Sequence, residues 1–171
     1  MRNQTAHPTI QPYSQATNQA TMDLIDRNRN INRGFRKLIV WKEAVNFYVF
    51  VNDKLETLKN ITFKVKGQID DSAFSVHSNI AEGYARRSLK EHINFNNYAL
   101  SSMAENYSQL FTLLTAKKID RNWFDDYDKV HYSLENKLLA YNRNLIKKLN
   151  AGEQWHDDYI ARDEEIPYLD E

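Results

Sequence analysis

The chain has 171 residues, with four glycines, three prolines and no cysteine. That length holds one domain with a real core, the missing cysteines exclude disulfides and thiolate metal sites, and no apolar run approaches the ~20 residues of a membrane span. Net charge is zero but segregated: residues 153–171 carry eight acids against Arg162 alone, which leaves 22 bases and 15 acids in residues 1–152.

Residues 1–32 form a polar and then basic arm. The first twenty are rich in Gln, Asn and Thr and cannot repay their ordering entropy, so they are expected to be flexible. Arg27, Arg29 and Arg33 follow, with Leu24, Ile25 and Ile31 able to pin a short helix onto the domain. The polar start has no apolar signal segment, and a cytoplasmic location is the expectation.

Residues 33–152 read as helices, because strong breakers are missing from a hundred-residue interior. The first helix is expected over Phe35–Lys59, with Leu38, Trp41, Val45, Tyr48, Val51 and Leu55 as its stripe and Ala44, Phe47 and Phe50 widening it. So wide a face suggests contact on two sides, one to the core and one to a partner chain. Trp41, Phe47 and Phe50 are the candidates for such an oligomer interface. The second helix starts near Phe63, where Lys64 and Lys66 oppose the helix dipole and suggest an exposed surface.

The stretch Gln68–Arg87 organises the rest. Ile69, Ala73, Val76, Ile80 and Gly83 recur at intervals of four and three, the seam of a bundle helix. Ser72, Ser75, Ser78 and Asn79 lie among them, which suggests side chains bonding to backbone or to a neighbouring helix. Ser88-Leu89-Lys90-Glu91 then fits a capping box. It starts a third helix running to about Lys118, with Phe95, Ala99, Met103 or Ser102, Asn106, Leu110 and Leu113 as its seam. A fourth begins near Arg121 or Asn122, carries Trp123, Tyr127, Val130, Leu134, Leu138, Tyr141, Leu145 and Leu149, and stops at Gly152. The expected fold class is all-α: an antiparallel up-down four-helix bundle with a flexible N-terminal arm and an acidic, aromatic C-terminal tail over 153–171.

Gln68-Ile69, Ser75-Val76, Ser78-Asn79-Ile80-Ala81-Glu82-Gly83 and Arg86-Arg87-Ser88 resemble the signature of a bacterial four-helix-bundle family. Its founding members are encoded in intervening sequences of 23S ribosomal RNA genes. The opening Phe35-Arg36-Lys37-Leu38-Ile39-Val40-Trp41-Lys42-Glu43-Ala44 and the pair Ala104-Glu105 are similar to it as well. The resemblance implies a closed homo-oligomer, commonly a homopentamer with a central pore, and no enzymatic activity. It further implies kinship with accessory proteins of diversity-generating retroelements, which bind a reverse transcriptase and nucleic acid through basic residues. Asp70 and Asp71 depart from the pattern, since the family often carries bases after its Gln-Ile.

Asn79, Glu82 and Gly83 read as structural: the first two bond to backbone and to Arg86 or Arg87, and Gly83 permits close packing. The functional alternative is a shared binding surface. Arg27, Arg29, Arg33, Arg36 and Lys37 form one basic cluster, Arg86, Arg87 and Lys90 a second, Lys117, Lys118 and Arg121 a third, and Arg143, Lys147 and Lys148 a fourth; the second and third sit near opposite ends of the third helix, at bundle ends, and are the candidates for binding RNA or DNA. A ring of copies would multiply such phosphate contacts. Arg87 and His92 match the Arg-x4-His spacing of helical-bundle ribonucleases, where the His acts as general acid or base, and Arg2 with His7 match it too. Asp128 and His131 are one i, i+3 pair where a di-metal bundle needs two, so they read as surface charge. No metal or other cofactor is expected. The leading expectation is a non-enzymatic adaptor for nucleic acid or a nucleic-acid enzyme. The alternatives are a ribonuclease and a protein-only scaffold working through its tail. The tail itself either aids solubility or competes for a basic surface.

Overall fold

A computed structural model describes residues 31–86 and 88–153. The polar arm up to residue 30, Arg87 and the tail beyond residue 153 lie outside the described residues. A 3-10 turn over Ile31–Lys37 leads into α1 (Ile39–Thr57), α2 (Phe63–Tyr84), α3 (Leu89–Thr115) and α4 (Arg121–Asn150). No strand is present among the described residues.

Cross-helix contacts fix the direction of each helix. Lys54 pairs with Asp120 and Glu43 with Lys137, so α1 and α4 run oppositely. Asn106 meets Tyr127, Met103 meets His131, and Asn96 meets Asn142, so α3 and α4 do too. The arrangement is an up-down bundle in which α2 contacts α1 and α3, while α4 contacts α3 and α1.

The seam expected of α2 holds at every position: Ile69, Ala73, Val76, Ile80 and Gly83 are all buried. They face Ala44, Phe47 and Val51 of α1, Ala99, Met103 and Leu110 of α3, and Tyr127, Leu134 and Leu138 of α4. Burial of these large side chains, at about 1.5–3 kcal/mol each, is the main favourable contribution to folding.

The ends are set by local chemistry. Ser88 accepts a hydrogen bond from the Glu91 amide at 3.2 Å, as the capping box requires. Thr62 and Asp120 cap α2 and α4 in the same way, through the Val65 and Trp123 amides. α3 closes three residues before the expected Lys118, at Thr115. There Lys117 takes φ 56° while its amide reaches Leu114 O and the Lys118 amide reaches Leu113 O. α4 closes identically on Gly152, at φ 74°, with amide bonds to Leu149 O and Lys148 O. Both are Schellman turns.

α1 starts later than expected, at Ile39 rather than Phe35. Leu38 is extended, with ψ 126°, and offers no side-chain cap. Arg36 and Lys37 before it are unfavourable at a helix N-terminus. The preceding 3-10 turn packs Gly34 directly on the Tyr84 ring; a Cβ there would stand 2.7 Å from Tyr84 Cζ.

Phe47 does not belong to an oligomer interface. It is fully buried in the chain's own core, 6.0 Å from the Tyr127 ring and 5.9 Å from His131. Trp41 is half-buried and packs edge-on against Phe35, and Phe50 stacks on Trp123 at 5.4 Å.

Candidate functional site

The N-terminal 3-10 turn, the α2–α3 turn and the C-terminus of α4 gather at one end of the bundle, as the Gly34–Tyr84, Tyr84–His92 and His92–Tyr141 contacts show. Bases collect there. The start of the domain brings Arg33, Arg36, Lys37 and Lys42, the α2–α3 turn brings Arg86 and Lys90, and α4 brings Arg143, Lys147 and Lys148. The carboxylates beside them are mostly committed. Glu43 is held by Lys137, Glu82 by Arg86, Glu153 by Lys148 at 3.9 Å, and Glu91 accepts a hydrogen bond from the Ser88 hydroxyl at 3.1 Å. Among the described residues Arg33, Lys37, Lys90, Arg143 and Lys147 are exposed with no ion pair. Such a surface attracts polyanions.

The expected basic clusters are thus split in their availability. Arg86 is ion-paired with Glu82 and lies over the Phe95 ring at 4.3 Å, so it serves the α2–α3 junction first. Lys90 is exposed at the same end. Lys117 and Lys118 are exposed at the opposite end, where Arg121 is tied to Asp125 at 2.7 Å. That end also holds Asp53, Glu56, Asp120, Asp125 and Asp126, so its charge is mixed. Lys66 does not serve a surface: its ammonium caps the Leu58 carbonyl after α1.

The signature residues take structural positions. Asn79 donates to Ser75 O at 2.9 Å and to Ser75 Oγ at 2.8 Å, and Ser75 Oγ also accepts from Ser102 Oγ of α3. Gly83 is buried where α2 crosses α3; a Cβ would sit 2.8 Å from Phe95 Cβ and 3.1 Å from His92 O. Its role is close approach, not backbone freedom.

A polar layer inside the bundle had a partial sequence signal, in the hydroxyl-rich run of α2 and in the place of Asn106 on the expected seam of α3. Asn106 is fully buried. It donates to Ile69 O and Ser72 Oγ, each at 2.9 Å, and accepts from the Tyr127 hydroxyl at 3.0 Å. Asn96 donates to Asn142, which donates to Asn97, both at 2.9 Å. His131 is also buried, with Nε2 3.0 Å from Met103 O, and therefore is not surface charge. Asp128 beside it is exposed.

His92 lies in the same interior. It is fully buried, its Nε2 is 3.3 Å from the Tyr141 hydroxyl, and burial lowers its pKa to about 4. Burial likewise raises the Tyr141 and Tyr127 hydroxyls well above the usual range for tyrosine. A neutral imidazole shut away from solvent is poorly placed to move a proton on RNA. On the outer α1–α2 flank, Tyr48, Phe74 and His77 make an edge-to-face trio, next to Asp70, which accepts from Asn52 at 3.0 Å. Asp70 is thereby part of the α1–α2 contact.

An all-α up-down bundle with a polar seam and a basic end defines the class of protein. The chain belongs to the 23S rRNA-intervening sequence protein family, whose model matches residues 36–140. A solved structure with the same fold is a protein of unknown function from the S23 ribosomal protein family of Bacteroides thetaiotaomicron. It is 24% identical, spans 61% of this chain and 98% of its own, and superposes with a TM-score of 0.58. No curated protein matches the chain. No described helix is long and apolar enough to cross a membrane.

Proposed function

We propose that this chain is a non-enzymatic, homo-oligomeric adaptor. Its basic end would bind nucleic acid, or a nucleic-acid enzyme such as a reverse transcriptase together with its substrate. The observation that carries this is the collection of Arg33, Lys37, Lys90, Arg143 and Lys147 at one end without ion-pair partners among the described residues. Phosphates would replace the counterions of such a surface, and affinity would then fall steeply with salt. Lys117 and Lys118 are a second, weaker contact in this reading. Burial of His92 favours the adaptor over a ribonuclease.

Association of copies, with a pentamer as the family-based expectation, is supported by large apolar side chains left outside. Phe63 is 91% exposed, Ile39 68% and Phe74 50%. Light scattering on the purified chain tests it, and a monomer at micromolar concentration would remove the ring. Binding is tested by fluorescence polarisation with a labelled 20-nucleotide RNA and the matching DNA between 50 and 300 mM salt. Arg143→Glu with Lys147→Glu should weaken binding at least 10-fold at low salt and flatten its salt dependence. Unchanged affinity in that double variant would reject the basic end as the binding surface.

A further inference from the structure

The outer groove between α3 and α4 changes character halfway along. Its lower part is an open depression of about 340 Å³ lined by Ala104, Tyr107, Asp128, His131, Tyr132 and Glu135, with two carboxylates among them. Tyr132 is 65% exposed, and Leu139 and Ile146 come next at seven-residue steps, 37% and 41% exposed. That spacing continues one apolar stripe up the same flank of α4. Around its upper part the charge has one sign. From Asn136 to Asn150, α4 has four bases and no acid; Lys137 and Lys148 are paired with Glu43 and Glu153, which leaves Arg143 and Lys147 available, and from His92 to Ala104, α3 has no charged residue. Arg143 stands between Leu139 and Ile146, four residues after one and three before the other, and so borders the stripe on its solvent side.

The chain leaves α4 at this place. The Schellman turn on Gly152 directs it off the helix axis instead of continuing it. The C-terminal residues 154–171 interleave Trp155, Tyr159, Ile160, Ile166 and Tyr168 with seven acids and one Arg. Eighteen residues can reach roughly 60 Å when extended, whereas Leu139 lies only about 17 Å back along the helix from Asn150. A tethered segment of matching chemistry faces its site at millimolar effective concentration.

We propose that residues 154–171 fold back in cis into the upper α3–α4 groove. Their aromatic side chains cover Leu139 and Ile146, and their carboxylates meet Arg143, Lys147 and Lys90. Asp128 and Glu135 stop the segment from running further down. The docked tail screens the basic end, and a polyanion must displace it. This last consequence rests on the reading of the basic end given above; the docking does not.

The absence of native cysteine allows a direct test. In the full chain, Leu139→Cys with Tyr159→Cys is compared with Ala85→Cys with Tyr159→Cys. Ala85 is exposed at the same end but caps α2, the helix diagonal to α4. Disulfide formation under mild oxidation should be at least 10-fold faster for the 139–159 pair, within one chain by mass, and should lose that advantage with Arg143→Glu and Lys147→Glu. Equal rates for the two pairs, or cross-links only between chains, would overturn the proposal. Circular dichroism confirms that each variant is folded. Fast 139–159 cross-linking in a protein that binds no oligonucleotide, with or without residues 154–171, would sink the proposed function and leave the docking intact.

Discussion

Individual side chains carry three measurable consequences. Gly83→Ala forces a methyl group to within 2.8 Å of Phe95 Cβ, and α2 and α3 must separate to admit it. Overpacking of this kind costs about 1–3 kcal/mol, which a urea melt reads directly. Lys117 holds a left-handed conformation that an L side chain adopts at a cost of about 1 kcal/mol. Lys117→Gly should therefore raise stability by about that amount, and the same melt would show the opposite sign if the turn were not so constrained. His92 is neutral in the fold, its pKa held to about 4 against about 6.5 when unfolded. The unfolded chain binds the extra proton between those values, so His92 imposes no penalty above pH 6.5 and destabilises progressively as pH falls toward 4. The loss approaches roughly 3 kcal/mol. Between pH 6.5 and 5, where carboxylates contribute little, the urea midpoint should drop in the wild type and drop less in His92→Gln.

Among elements, the helices and the seam of α2 were legible because spacing reports which face is apolar, whereas on α1 the buried line is Val40, Ala44, Phe47, Val51 and Leu55, and the expected Leu38, Trp41, Val45 and Tyr48 beside it are half-buried. The capping box at Ser88 and the stop at Gly152 were legible because few residue types do those jobs. Three features were hidden. The late start of α1 depends on the 3-10 turn that seats Gly34 on Tyr84, a contact fifty residues away in sequence. The cap at Asp120 was masked by the neighbouring run of acids. The inward placement of His92, Asn96, His131 and Asn142 contradicts their polarity, and only partners on other helices make it possible. The Asn106 hub gives this layer its test. Asn106→Leu removes the partner of the Tyr127 hydroxyl and two donors to α2, and should cost about 1–3 kcal/mol. If Tyr127→Phe is then made in the same chain, the cycle should be clearly non-additive, because both changes remove one bond.

At the scale of the whole molecule, charge was readable as a sum by segment but not as a place. Residues from three separate stretches of sequence contribute to the basic end, and only the up-down topology brings them together. Only the clusters at 86–90 and at 117–121 could be placed from the sequence, at opposite ends of the third helix; they lie there, each with one arginine already engaged by a carboxylate.

The paired asparagines and the Asn106 hub have an effect beyond their bond energies. A seam of aliphatic residues alone tolerates sliding by a turn, because leucine packs against leucine nearly as well one step along. Here any such slip would leave amide groups stranded opposite methyls. The amides act as index pins that admit one alignment of α2, α3 and α4. A bundle pinned in this way presents the same outer surface in every copy, which repeated self-association demands of its building block.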